Sequence, residues 1–505
     1  MNQGNKVPLR AVGLLMQIPG GMALLSLPVC WFFGENYATL PFLLTAGVAI
    51  APGQFLYHRF RLEKAARFRQ ALLIVALSWL LLFLLGTIPF VLIAHHLANQ
   101  PQASATMLEF RSLWNAMFEA VSGFTTTGLS MAVDASQLPH CLQWWRSLMQ
   151  WVGGIGLIVL TLSILEPSNN VAQLYSAEAR DERLAPTLQE TAQRIWLIYL
   201  FYTGISILLL AIAGMPPWAA INHGLAGIST GGFAITGASL KVYGPTVQAV
   251  TIPIMILGSI SFLIHARLLR QREISVLWTD TRHRALWILL IAGSLFLVFE
   301  RAWFSGSWEW LVSAFHWTSA ITTCGFAVVD EQGWSPLSKM LMILAMVCGA
   351  VSGGTGGGLK LDRIVVLYES VVWNLKLVYR ESPEDLRYEL NGQILSEKEA
   401  HRHLKTASVL AMLWFASLTV GTLILFHAAA AEFSLVDTLF ESASALGNVG
   451  LSTGITTPEL FWTGKVVLML LMWMGRLEII AVFVFFSWLL RSGKNMVLSG
   501  VQQTR

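Results

Sequence analysis

Four stretches of the 505-residue chain set threonine, serine and glycine in a spacing suited to holding a cation by oxygen atoms. They read FEAVSGFTTTGL (118–129), NHGLAGISTGGF (222–233), FHWTSAITTCGF (315–326) and FESASALGNVGL (440–451), and they align without gaps. In every copy a glycine precedes a bulky apolar residue: Gly128 before Leu129, Gly232 before Phe233, Gly325 before Phe326, Gly450 before Leu451. Four places earlier stands Phe124, Ile228, Ile321 or Leu446; five earlier, Gly123, Gly227, Ala320 or Ala445; nine earlier, Glu119, His223, His316 or Glu441. One small-residue cluster would mark only close helix packing. Four in register define a repeat. Glycine supplies backbone conformations that a side chain forbids, so successive carbonyls can turn the same way. Four such segments around an axis would make rings of carbonyl oxygens able to replace the water shell of a potassium ion.

A second glycine cluster, SGGTGGGLK at 352–360, places Gly353, Gly354, Gly356, Gly357 and Gly358 around Thr355. It is no phosphate loop, because Lys360 comes one place too late for G-x-x-x-x-G-K and no Ser or Thr follows it. A broken helix whose loop occupies a permeation path accounts for it better. Arg476 lies among the apolar residues 466–490. An arginine at membrane depth costs roughly 2.5–3.5 kcal/mol on insertion scales, so it should face a cavity or a partner. On a continuous helix Glu478, two residues on, points to another face. His223 and His316 are expected as neutral, hydrogen-bonded groups, with pH sensitivity as the alternative. No H-E-x-x-H or His/Asp cluster is present, which argues against an intramembrane enzyme.

The elements that must position these groups are membrane helices. The chain is 55% hydrophobic and 12% charged, against about 25% charged in soluble domains. Runs at 71–95, 195–214, 285–299 and 407–430 are nearly free of charge, and a helix of roughly 20 such residues crosses a bilayer. The run at 11–33 has a signal-peptide flavour, but it is long and a second span at 37–57 follows at once. Between paired spans, each repeat has about a dozen helix-forming residues; at about 1.5 Å each they reach about 18 Å of a core about 30 Å thick. That helix must enter and turn back, its partly negative C-terminal end facing the cation site.

The expected fold is therefore an all-α integral membrane protein of about ten spans and four re-entrant pore helices. An N-terminal two-helix unit (1–69) precedes pore repeats at 70–190, 191–283, 284–400 and 401–505. The segments 1–10, 58–69, 166–194, 265–284, 360–405 and 491–505 hold all Lys and Arg but Arg111, Arg146, Lys241, Arg301, Lys339, Lys465 and Arg476. That asymmetry puts the basic segments and both termini in the cytoplasm. It also explains the basic loops without a nucleic-acid partner. Within 360–405, Glu381, Glu384, Asp385 and Arg387 suggest a helix with a turn. Cys30, Cys141, Cys324 and Cys348 are scattered without pairing or metal-ligand spacing and read as packing residues.

Together TTTG (125–128), WVGGIG (151–156), the three later segments, SGGTGGGLK and GRLEI (475–479) give a chain that resembles the Trk/Ktr/HKT superfamily of potassium transporters, most closely the bacterial Trk-type membrane subunit. The likeness runs from about residue 70 to about 490, and the extra two-helix unit also resembles the Trk type. It implies a filter made of Thr125, Thr126, Thr127 and Gly128; Ser229, Thr230, Gly231 and Gly232; Thr322, Thr323, Cys324 and Gly325; and Gly447, Asn448, Val449 and Gly450. Glycine in all four repeats implies potassium preference, whereas serine in the first is associated with sodium. Cys324 stands where alanine is commoner, and two of the four polar pore-helix sites are histidine. The resemblance further implies a gate built from Gly353–Gly358 and Arg476, K+ as the bound ion, a homodimer in the lipid of a bacterial inner membrane, and a separate cytoplasmic nucleotide-binding regulatory subunit. Proton- or sodium-coupled symport is the alternative to a gated channel, since one pore could serve either.

Overall fold

A computed structural model describes residues 9–60, 68–100, 103–156, 159, 187–379, 388–390 and 393–503. Within them the chain is almost wholly helical, as an apolar chain must be where no water can satisfy backbone groups. Among the described residues, six helices are long and apolar enough to cross a membrane, or eight counting two bent pairs as one span each. This is a multi-pass membrane protein.

The N-terminal unit pairs Leu9–Leu15 and Gln17–Phe32 against Thr39–Arg59. Glycines set the approach: a Cβ on Gly13 would lie 2.6 Å from the Gly53 carbonyl oxygen, and one on Gly53 2.7 Å from that of Gly13. Glu35, in the turn after Gln17–Phe32, accepts from the amides of His140 (2.7 Å) and Cys141 (2.8 Å). A carboxylate thus caps the N-terminus of another helix and anchors the unit to the rest. Cys30 is drawn to the same place, since its carbonyl accepts from the Glu35 amide at 2.7 Å. Cys30 and Cys141 come together there in the fold, and all four cysteines are free.

Long helices Phe68–Leu97, Leu188–Ile212, Thr281–Ser305 and Glu397–Ala428 are each followed by a short one: Leu113–Phe124, Pro217–Ile228, Trp310–Ile321 and Leu435–Gly447. The first three short helices have 12 residues and the last 13. Pro217 opens the second at the first helical position, where its missing N–H costs nothing. A capping box of Ser434 and Asp437 opens the fourth.

Return helices His140–Ile155, Pro245–Ser259, Pro336–Cys348 and Trp462–Arg476 complete the units, and each stops after 13–16 residues. The first ends on Gly156 at φ 87° and the third on Gly349 at φ 66°. The second bends by 103° into Phe262–Gln271, and the fourth by 119° into Ile480–Arg491. The sequence anticipates only the third break. The reading of 466–490 as one continuous helix is corrected: Arg476 ends its helix, and Glu478 (φ 57°) and Ile479 (φ 60°) occupy the break. Arg146, Lys339 and Lys465, which stand apart from the basic segments, are buried in the return helices. Segment 360–405 is not simply a helix with a turn: after Leu361–Tyr379, Tyr388–Leu390 pairs antiparallel with Gln393–Leu395. Glu381, Glu384, Asp385 and Arg387 lie outside the described residues, as do Lys6 and the basic positions of 61–67 and 160–186.

Candidate functional site

Each short helix ends in the same way. Thr126 donates its amide to Gly123 (3.1 Å) and Thr127 donates to Ser122 (2.9 Å). The same pair of bonds runs from Thr230 and Gly231, from Thr323 and Cys324, and from Asn448 and Val449. This is a Schellman-type C-cap, whose left-handed residue is usually glycine or asparagine. Here Thr126 (φ 56°), Thr230 (φ 50°) and Thr323 (φ 55°) take it, with Asn448 (φ 52°) in the fourth copy. A β-branched residue there costs roughly 1–3 kcal/mol and persists only where its surroundings hold it. Two residues later Gly128, Gly232, Gly325 and Gly450 again have positive φ, from 76° to 101°.

The four glycines meet head to tail. A Cβ on Gly128 would collide with the Gly231 carbonyl oxygen, one on Gly232 with that of Cys324, one on Gly325 with that of Val449, and one on Gly450 with that of Thr127. First touches second, second third, third fourth, and fourth first. The stretches found in register in the sequence therefore close into a ring, each glycine leaving room for a neighbour's carbonyl.

Buried polar groups hold the ring from behind. Glu119 accepts from Arg146 Nε (2.6 Å), the Met131 amide (2.8 Å) and the Ser130 hydroxyl (2.9 Å). Arg146 also donates to the Ala234 carbonyl at 2.8 Å and covers the Phe233 ring at 4.1 Å. Glu441 repeats the role of Glu119, accepting from Ser452 (2.8 Å) and the Thr453 amide (3.0 Å). At the two histidine positions, His223 Nδ1 pairs with the Ala219 carbonyl at 2.8 Å, and His316 pairs with the Val312 carbonyl (2.9 Å) and Glu331 (3.1 Å). The fourth residue of three return helices reaches the next short helix: Gln143 to Trp218 (2.8 Å), Lys339 to Asp437 (2.6 Å), Lys465 to Asn115 (2.6 Å). Outside the ring, Asp134 accepts from the Gly237 amide at 3.0 Å, and the Ser136 hydroxyl helps to hold its carboxyl below the usual range.

The glycine loop lies directly against the left-handed residues. Thr355 Oγ1 is 3.2 Å from Thr230 Oγ1 and donates to the carbonyls of Gly258 (2.9 Å) and Ile228 (3.1 Å). The Gly357 amide donates to Thr323 Oγ1 at 2.6 Å, and the Gly358 amide to the Gly447 carbonyl at 2.9 Å. Gly353 accepts from Phe262 at 3.0 Å, and a Cβ on Gly354 would crowd the carbonyls of Gly258, Ser259 and Ile260. Side chains would separate these backbones, and Gly356 and Gly357 likewise abut Thr322 and Gly447. Arg476 completes the layer: it donates to the carbonyls of Thr355 (3.0 Å), Gly154 (3.0 Å) and Gly153, and lies 3.5 Å from Thr126 Oγ1. Loop and arginine together touch all four stretches.

The four repeated segments thus fall in one ring, and the glycine loop and Arg476 in the layer against it. Missed were Arg146, Gln150 and the left-handed backbone of Thr126, Thr230 and Thr323. The first two carried a signal: polar residues at i and i+4 within an apolar run, with Gly153 three further on, mark one inward helix face. The threonines carried none, because nothing in Thr-Thr-Thr-Gly announces a positive φ.

A family model described as TrkH, cation transport protein, matches residues 41–498. An uncharacterized cation transporter of Methanocaldococcus jannaschii is 30% identical over 483 residues, 95% of each chain. The Trk system potassium uptake proteins TrkH of Salmonella typhimurium and Escherichia coli are each 30% identical over 491 residues, covering 95% of this chain and 97% of theirs. The crystal structure of the potassium transporter TrkH from Vibrio parahaemolyticus superposes with a TM-score of 0.79 at 24% identity, covering 94% of this chain and 97% of that one. At that identity the likeness speaks to the fold.

Proposed function

The chain belongs to the TrkH family of cation transport proteins, and from that premise we propose that it carries potassium ions across a bacterial inner membrane through the ring of four glycine-bearing segments. The observation that supports this reading best is the closure of the ring, Gly128 to Gly231, Gly232 to Cys324, Gly325 to Val449 and Gly450 to Thr127. Carbonyl oxygens at one level around one axis suit a dehydrated potassium ion. Thr125–Gly128, Ser229–Gly232, Thr322–Gly325 and Gly447–Gly450 are the filter, carried by pore repeats at 70–190, 191–283, 284–400 and 401–505.

Gly353–Gly358 and Arg476 are the gate. Their hydrogen bonds to Thr230, Thr323 and Gly447 occupy the inner end of the filter, and the guanidinium adds a positive charge where a cation must pass. Opening requires the loop to leave those partners. The basic segments face the cytoplasm, with both termini inside. A homodimer and a separate nucleotide-binding regulatory subunit complete the proposal on the family resemblance. Rubidium uptake in a cell lacking potassium import tests the reading: expression should restore growth at low potassium and saturable rubidium entry. Correctly inserted protein that restores neither would refute it.

A further inference from the structure

Gln150 lies on the first return helix, three residues before Gly153, and is fully buried. Both ends of its carboxamide engage the second filter segment. Nε2 donates to the Gly231 carbonyl oxygen, and Oε1 accepts from the Phe233 amide at 3.0 Å. The Gly231 oxygen is one of the four that close the ring. Among the described residues the matching carbonyls of Thr127, Cys324 and Val449 receive no side-chain donor of this kind.

The same side chain explains a residue choice. The third filter position is Thr127, Cys324 or Val449 in three repeats and glycine only in the second. Gly231 does not have a positive φ, so backbone conformation does not demand it. Space does: a Cβ there would strike Gln150 Cδ and lie 2.9 Å from Gln150 Cβ. At the matching register the other return helices carry Met255, Met346 and Met472, none with a side-chain amide.

A donor resting on a coordinating carbonyl competes with the cation for its lone pairs, so that oxygen presents a weaker field than its three counterparts. The number and field strength of the carbonyls govern discrimination between potassium and sodium. Building on the filter reading above, we propose that Gln150 is a positioning residue that sets ion discrimination, by fixing the register of the second segment and tempering one of the four ring carbonyls.

The test uses the full chain in proteoliposomes, with potassium, rubidium and sodium as the probe ions. Gln150→Met keeps the volume and removes both hydrogen bonds; Gln150→Glu keeps the acceptor for Phe233 and removes the donor to Gly231. The potassium-over-sodium ratio is expected to fall at least tenfold in Gln150→Met and about threefold in Gln150→Glu, with a shifted KM for potassium. A role in packing alone would lower the amount of folded protein or the maximal rate at constant ratio and KM, and that result would overturn the proposal. If Gln150→Met fails to accumulate, an unchanged ratio in Gln150→Glu overturns it equally. A wild-type chain that carries no potassium would instead sink the filter reading on which this inference rests.

Discussion

Arg476 Nη1 donates to the carbonyl oxygen of Thr355 at 3.0 Å, tying the end of the last return helix to the centre of the glycine loop. The helix break at Leu477 makes this reach possible, because it leaves Arg476 on a helix end beside the loop. A hydrogen bond from a charged donor contributes about 1.5–3 kcal/mol. Arg476→Ala removes that tie and those to Gly153 and Gly154. Rubidium flux in proteoliposomes is expected to rise roughly tenfold or more, since about 1.4 kcal/mol shifts an equilibrium tenfold. Unchanged or lower flux from folded protein would remove the arginine from the gate.

Gly128→Ser tests the proposed filter. Gly128 sits at φ 93°, and a Cβ there meets the Gly231 carbonyl. The substitution therefore strains its own backbone by roughly 1–3 kcal/mol and displaces an oxygen of the adjoining segment. Potassium preference over sodium should fall about tenfold, measured as competition between the two ions for rubidium uptake. A mutant with wild-type selectivity would show that this ring does not discriminate between ions.

What the sequence makes legible follows from which features recur. The four glycine segments and their short helices repeat, so alignment within one chain finds them. The break after Gly349 is visible because five glycines cluster there, whereas the break at Leu477 involves Glu478 and Ile479, whose types give no warning of left-handed backbone. Long-range partners are invisible for the same reason. Arg146 and Glu119 lie 27 residues apart and Arg476 and Gly153 323 apart, and only the closing of the ring brings each pair together. Lys339 and Lys465 give no cue either, because charge is ordinarily a sign of solvent, yet here it ties one unit to the next.

Acid should weaken the protein through Asp280, which caps Thr281–Ser305 outside the membrane. Burial alone would push its carboxyl up, but hydrogen bonds from His283 (3.1 Å) and Arg282 (2.9 Å), with the guanidinium charge, hold it well below the usual range. Arg282 also reaches Asp362 (3.1 Å), which accepts from the Ser352 amide at the start of the glycine loop (2.6 Å). A carboxyl with a depressed folded-state pKa contributes stability that is fully present above the unfolded value of about 3.9 and is lost as pH falls through the folded one. Thermal unfolding in detergent should therefore show a fall in Tm below about pH 4 that Asp280→Asn makes shallower, since Asn keeps the cap without the charge. Identical acid limbs for the two proteins would count against this role.

Arg363 Nη2 and Glu478 Oε2 form an ion pair between the helix that leaves the glycine loop and the break that follows Arg476. Both side chains are about one-fifth exposed, so the pair contributes less than a fully buried one, on the order of 1 kcal/mol. Its value lies in position, because it couples the two parts of the proposed gate at one point. Arg363→Glu or Glu478→Arg places like charges together and should raise rubidium leak several-fold. The exchange Arg363→Glu with Glu478→Arg restores an opposite-charge pair and should return the leak toward wild type, with a coupling of about 1 kcal/mol in the double-mutant cycle. Strictly additive effects of the two substitutions would mean that the contact does not link the loop to the broken helix.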